Sequence, residues 1–181
     1  MNGEGILEFH DGKVFKGFMR NNSMLSGTLT YPTNNTNNAN KQAGAIDESE
    51  LSSLLNSKWA EYKGEFKDNL PHSTGAILRF ANGDEYFGDF EKGKMNGVGR
   101  FLLAKPLLLK DSEELHPALK RRRVVTSWFG EVQGNELQGL VRVLSREEEE
   151  LRIGATQTIL LTDKRRTLVL EAGKLVNNYS S

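Results

Sequence analysis

Residues 86–101 read YFGDFEKGKMNGVGRF. Four of these sixteen residues are glycine (Gly88, Gly93, Gly97 and Gly99), set among Tyr86, Phe87, Phe90 and Phe101. Side chains alternate across a β-strand with period two. Tyr86, Gly88 and Phe90 therefore share one face, and Phe87, Asp89 and Glu91 the other. Beyond a turn over residues 91–96, Gly97, Gly99, Phe101 and Leu103 again fall on one face. Paired as a hairpin, the two segments leave bare backbone on which neighbouring rings can lie. Such covering recovers part of the ~0.5–1 kcal/mol entropy cost of a strand glycine. Gly93 falls in the turn, where positive φ is easiest for glycine.

The pattern recurs along the chain. Tyr86-x-Gly88-x-Phe90 has a partner in Tyr62-x-Gly64-x-Phe66, 24 residues earlier. Weaker partners are FKGFM at 15–19, with Phe15 and Gly17, and WFGEV at 128–132, with Trp128 and Gly130. NGVG at 96–99 returns as NGEG at 2–5, and Gly139 stands at the matching place after the fourth copy. GILEFHDG (5–12), GTLTYPTN (27–34, with Tyr31) and AILRFANG (76–83, with Phe80) each read as a strand plus a turn. LEAGKLVN at 170–177 echoes FEKGKMNG at 90–97. Self-similarity at a fixed period is the signature of a repeat array.

These motifs resemble the MORN-repeat family (membrane occupation and recognition nexus), whose unit reads approximately Y-x-G-x-F-x-x-G-x-x-x-G-x-G followed by a short strand. Tyr86, Gly88, Phe90, Gly93, Gly97 and Gly99 fill every marked position. The resemblance implies an all-β fold: an elongated, twisted, single-layer antiparallel sheet of consecutive hairpins across residues 1–181. Repeat-like segments are expected at 1–14, 15–33, 62–85, 86–103, 128–144 and, degenerate, 167–179. Segments 34–57, 104–125 and 145–166 are expected as insertions. The chain opens inside a unit, which is expected either of a degenerate cap or of part of a longer array.

Spacing raises one alignment question. Gly75 looks like a repeat glycine, yet placing Ala76 in that slot puts Ala76, Leu78 and Phe80 in step with Gly5, Leu7 and Phe9. A one-residue slip would turn Phe80 to the polar face, so Ala76 is the expected occupant. Residues 32–46 are Asn-rich and expected to be a disordered loop, so deleting 34–45 is expected to leave the fold intact. In the segment that follows, Leu51, Leu54, Leu55 and Trp59 have helical spacing. It is expected either as an exposed, partly helical loop or folded back over the sheet.

Lys plus Arg equals Asp plus Glu at 24 each, which argues against a nucleic-acid binder, since these carry a basic excess. With no cysteine, thiolate chemistry, disulfides and cysteine-ligated zinc are excluded, and a cytoplasmic site, peripheral to membrane or cytoskeleton, is the expectation. No window resembles a signal peptide or a transmembrane helix. His10, His72 and His116 show no metal-ligand spacing, and no nucleophile elbow or phosphate loop is present. No enzyme activity, cofactor or metal is expected.

A single-layer sheet leaves one aromatic-lined face to be covered by the chain itself or by a partner. Phe15, Tyr31, Tyr62, Phe66, Phe80, Tyr86, Phe90, Phe101 and Trp128 are the candidate binding residues, because rings are enriched in interface cores. The glycines that let them align are Gly17, Gly64, Gly88, Gly93, Gly97, Gly99, Gly130 and Gly139. The resemblance implies a scaffold that holds a partner's peptide or helix. Two alternatives stand beside it: a peripheral module binding anionic phospholipid through Lys120, Arg121, Arg122 and Arg123, and a non-catalytic targeting region of a larger enzyme.

Overall fold

The computed structural model describes residues 2–32, 48–108, 114–116, 119–153, 156–171 and 174–180. Most of segment 34–57, including the 34–45 stretch expected to be dispensable, lies outside them. The strands are β1 (Gly3–Glu8), β2 (Val14–Arg20), β3 (Ser23–Thr30), β4 (Trp59–Lys67), β5 (Leu70–Pro71), β6 (Ser73–Phe80), β7 (Glu85–Glu91), β8 (Lys94–Leu108), β9 (Glu114–His116), β10 (Leu119–Gln133), β11 (Glu136–Ile153), β12 (Thr156–Glu171) and β13 (Lys174–Ser180). A 3₁₀ helix, Glu48–Asn56, precedes β4. Eleven strands lie side by side in chain order within one antiparallel sheet; β5 pairs only with β4, and β9 only with β10.

Four hairpins turn on two residues that both have positive φ: Asn21 and Asn22, Asp68 and Asn69, Lys92 and Gly93, Gly134 and Asn135. That is the tight turn whose twist matches the strands, and Asn, Asp and Gly tolerate it best. The turn is therefore shorter than the 91–96 span expected.

Register explains the glycines. Gly17 pairs with Gly5 and Gly27, and Gly27 with Gly64. Further on, Ala76 pairs with Gly88, Gly88 with Gly99, Gly99 with Gly130, and Gly130 with Val141. One row of nearly bare backbone thus crosses the sheet. The next row carries Phe15, Leu29, Tyr62, Leu78, Tyr86, Phe101 and Trp128, paired in that order. Its rings lean over the bare row. A Cβ at Gly88 would stand 2.6 Å from Tyr86 Cζ and 2.7 Å from Gly99 Cα, and one at Gly64 2.5 Å from Tyr62 Oη.

Ala76 occupies the glycine slot, as expected, opposite Gly88 and buried. The extra residue is absorbed by an irregularity between Ser73 and Ala76, where Gly75 takes φ +77°.

The segments 104–125 and 145–166 do not simply interrupt the array. β8 runs on to Leu108, β10 starts at Leu119, and β11 and β12 extend through residues 145–166 except 154–155. The register gives the reason: Lys120, Arg121, Arg122 and Arg123 stand opposite Glu150, Glu149, Glu148 and Glu147. In register, each basic residue of the run stands opposite an acidic one, and directly opposite charges in an antiparallel sheet contribute about 0.2–1 kcal/mol per pair. The four glutamates lie inside β11. Reversing one charge, as in Arg122→Glu, is expected to lower stability by about 0.5–1 kcal/mol, and adding Glu148→Arg to restore it. Urea denaturation of the two variants checks this; no restoration in the double variant would mean the pair does not interact.

Candidate partner-binding face

The rings form one continuous track. Phe15 meets Phe66 edge-on with centroids 5.3 Å apart, and Phe66 meets Tyr62 at 5.1 Å. Tyr62 reaches Phe90 at 4.9 Å across the intervening β6, and Phe90 meets Tyr86 at 5.6 Å. Trp128 lies 6.4 Å from Tyr86 and stacks on Phe101 at 5.2 Å. Phe80 leans on Phe101 at 5.4 Å. Tyr31 joins at the margin through Trp59. The nine rings singled out from sequence are therefore brought together, but they are not open: all except the half-buried Tyr31 are buried.

Part of the cover is the chain's own helical segment. Leu51 and Leu55 are fully buried in the same core cluster as the rings, and Leu54 and Trp59 pack against that cluster half-buried. The segment lies against β11 and β13, far along the chain. Of the two readings of this stretch, the fold-back is the one observed. An i, i+3, i+4 leucine pattern needs an apolar wall, and the ring face supplies it.

Burial fixes the protonation of the phenols. Desolvation is the main cause that lifts Tyr62 and Tyr86 above the ordinary range and Tyr31 up to about 12. Raised pKa values mean that this stability is complete below the unfolded phenols' pKa of ~10 and is lost as pH climbs from there through the folded values. Alkaline titration is expected to show tyrosinate absorbance appearing together with unfolding. Ionisation of Tyr31, Tyr62 and Tyr86 well before loss of circular dichroism would contradict it.

Two donors on this face lack acceptors among the described residues: Tyr86 Oη and Trp128 Nε1, both buried. Each buried unmade hydrogen bond costs roughly 1–3 kcal/mol, so the track carries two donors that a carbonyl from elsewhere would satisfy.

A second device went unread in the sequence. After two of the tight turns, the first inward residue donates its amide into a neighbouring turn. Met24 N–H donates to Asn69 Oδ1 at 2.8 Å, and Met95 N–H to Asn135 Oδ1 at 2.9 Å. In each case the acceptor sits in the turn of the next hairpin. Between them, Pro71 has no N–H to satisfy, and the corresponding turn residue is Gly93, which has no side chain; Gly93 N–H instead donates to Pro71 O at 2.9 Å. Proline and glycine thus replace amide and asparagine together. The sequence signal is an Asn three residues after the last ring or branched residue of a unit, as in Phe66-x-x-Asn69 and Val132-x-x-Asn135. Asn135→Ala is expected to cost about 1–3 kcal/mol, with faster exchange of the Met95 amide as the specific readout. Unchanged exchange there would show that water serves this amide equally well.

The opposite face is exposed and holds the large apolar residues Phe18, Phe87, Val98, Phe129 and Leu140. Its central row pairs Lys63 with Ile77, Ile77 with Phe87, Phe87 with Arg100, Arg100 with Phe129 and Phe129 with Arg142. The basic residues 120–123 pair in register with the glutamates at 150–147. Among the described residues no group of His, Asp and Glu is placed to hold a metal ion, and no helix is long and apolar enough to cross a membrane.

Stacked hairpins with a bare glycine row under a ring row define an open antiparallel β-repeat protein. The family model described as MORN repeat matches residues 62–85 and 86–105. The chain carries MORN repeats over residues 62–105, a span that holds most of β4, all of β5 to β7 and most of β8. No curated protein matches it.

Proposed function

We propose that this protein is a non-catalytic interaction scaffold that binds a peptide or helix of a protein partner along the aromatic track, at a membrane or cytoskeletal site. The observation that carries this reading is the track itself: continuous rings, with two buried donors that have no acceptor among the described residues, under a cover that is a separate helical segment. A partner enters by displacing that cover, gives its apolar residues to the rings, and offers carbonyls to Tyr86 and Trp128. A central aromatic anchor in such a seat is worth ~2 kcal/mol or more.

Affinity capture identifies a candidate, and reconstitution of the purified pair decides. Leu51→Asp, which weakens the cover, is expected to bind the partner more tightly than the native chain. Phe87→Ser, on the outer face, is expected to change nothing. The reverse order of effects would move the site to the outer face.

A second reading is peripheral attachment to anionic phospholipid. The exposed Phe87, Phe129, Arg100 and Arg142 favour it, because rings beside exposed cations suit a charged interface. Liposome sedimentation of the native chain and of Arg100→Glu with Arg142→Glu tests it; equal sedimentation of the two sinks it.

A further inference from the structure

Among the buried amides described above, Leu137 is the exception. It is the first inward residue after the Gly134 and Asn135 turn, fully buried like Met95. The next unit in sequence places Gly173 where Asn135 stands in its own unit. Glycine has no side chain to accept a hydrogen bond, and Leu137, unlike Pro71, has an N–H to donate. The acceptor comes instead from 85 residues earlier: Leu137 N–H donates to Ser52 Oγ at 3.1 Å. Ser52 is buried, flanked by the fully buried Leu51 and by Leu55 one turn on, while Ser53 faces outward. The helical segment thus supplies the acceptor of the Leu137 amide among the described residues.

We propose that the Leu137 amide and its apolar surround form a docking site for a helical turn of the form Leu-hydroxyl-x-x-Leu, filled in the resting chain by Leu51, Ser52 and Leu55, and that a protein partner presenting the same turn enters by displacing them. This rests on the partner reading above and names the partner's chemistry. The hydroxyl is specified because the amide is a donor in a dry site, where an unmet donor is costly. The spacing is specified because Leu51 adjoins the serine and Leu55 lies one 3₁₀ turn beyond it. Tethering explains the closed resting state: a covalently linked occupant acts at an effective concentration in the millimolar range, and free segments are disfavoured by the small fraction of open molecules.

The probe is a labelled peptide of residues 46–58, IDESELSSLLNSK. It is titrated against the full chain and against the full chain carrying Leu51→Asp and Leu55→Asp, with circular dichroism verifying fold. The opened variant is expected to bind at least roughly a hundred-fold tighter than the native chain. A Ser52→Ala peptide is expected to bind about ten-fold more weakly than the native peptide. No binding to the folded opened variant, or equal binding of the two peptides, overturns the proposal. Should the opened variant not fold, amide exchange in full-length Ser52→Ala decides. Faster exchange at Leu137 with Met95 unchanged is expected, and unchanged Leu137 overturns it. If the peptide docks but a reconstituted partner ignores the state of the latch, the docking site stands and the partner reading falls.

Discussion

Trp128→Ala is expected to lower the unfolding free energy by about 3–5 kcal/mol, the range for removing a buried aromatic from a core. Trp128 is almost wholly buried, stacked on Phe101 with planes 9° apart and in reach of Tyr86. Its pairing partner on the other side is Val143, so the ring joins the matched repeats to the long β10 and β11 strands. The effect is almost pure packing, since Nε1 makes no hydrogen bond among the described residues. That gives the experiment an internal control: Trp128→Phe keeps most of the stacking and removes an unpaired donor, so it is expected to cost less than about 1.5 kcal/mol. Urea midpoints at constant slope measure both. Equal losses for the two variants would show that the indole N–H has an acceptor and that the ring is held polar end first.

Gly88→Val is expected to cost about 3 kcal/mol, at the upper end for overpacking, because no direction of relief exists. The new side chain would meet the Tyr86 ring on one side and the Gly99 backbone on the other. Tyr86 cannot swing away, being buried against Phe90 and Trp128. Asp89→Val is expected to cost less, about 1 kcal/mol, though it is not silent: its carboxylate accepts from Gly75 N–H at 3.1 Å and Val98 N–H at 3.2 Å. These bonds bridge the irregularities on both sides of β7, and their exposure to solvent keeps them cheap. Thermal unfolding of the two variants is the measurement. Equal shifts would mean that the glycine row is not covered by rings.

The two leading predictions bear on function through the same residues. The rings that would anchor a partner are also the core that holds the hairpins together, so substituting them tests stability before it tests binding. Leu51, Ser52 and Leu55 separate the two roles, because they belong to the cover and not to the matched repeats.

The sequence determined what depends on neighbours along one strand. Period two placed Tyr86, Gly88 and Phe90 on one face and Phe87 and Asp89 on the other, and the same rule chose Ala76 over Gly75. Repetition then extended one hairpin to a sheet, because each unit has only its neighbours to pack against. Tertiary structure decided whatever depends on residues far apart in the chain. Whether the ring face is open rested on where Leu51 and Leu55 settle, and their leucine spacing suits an exposed turn and a buried one equally until a wall is present. The partner of the Leu137 amide is a serine 85 residues away, a distance over which no local pattern carries information. Charge along the chain at 120–123 says nothing of register, and only strand pairing sets each of these residues opposite a glutamate.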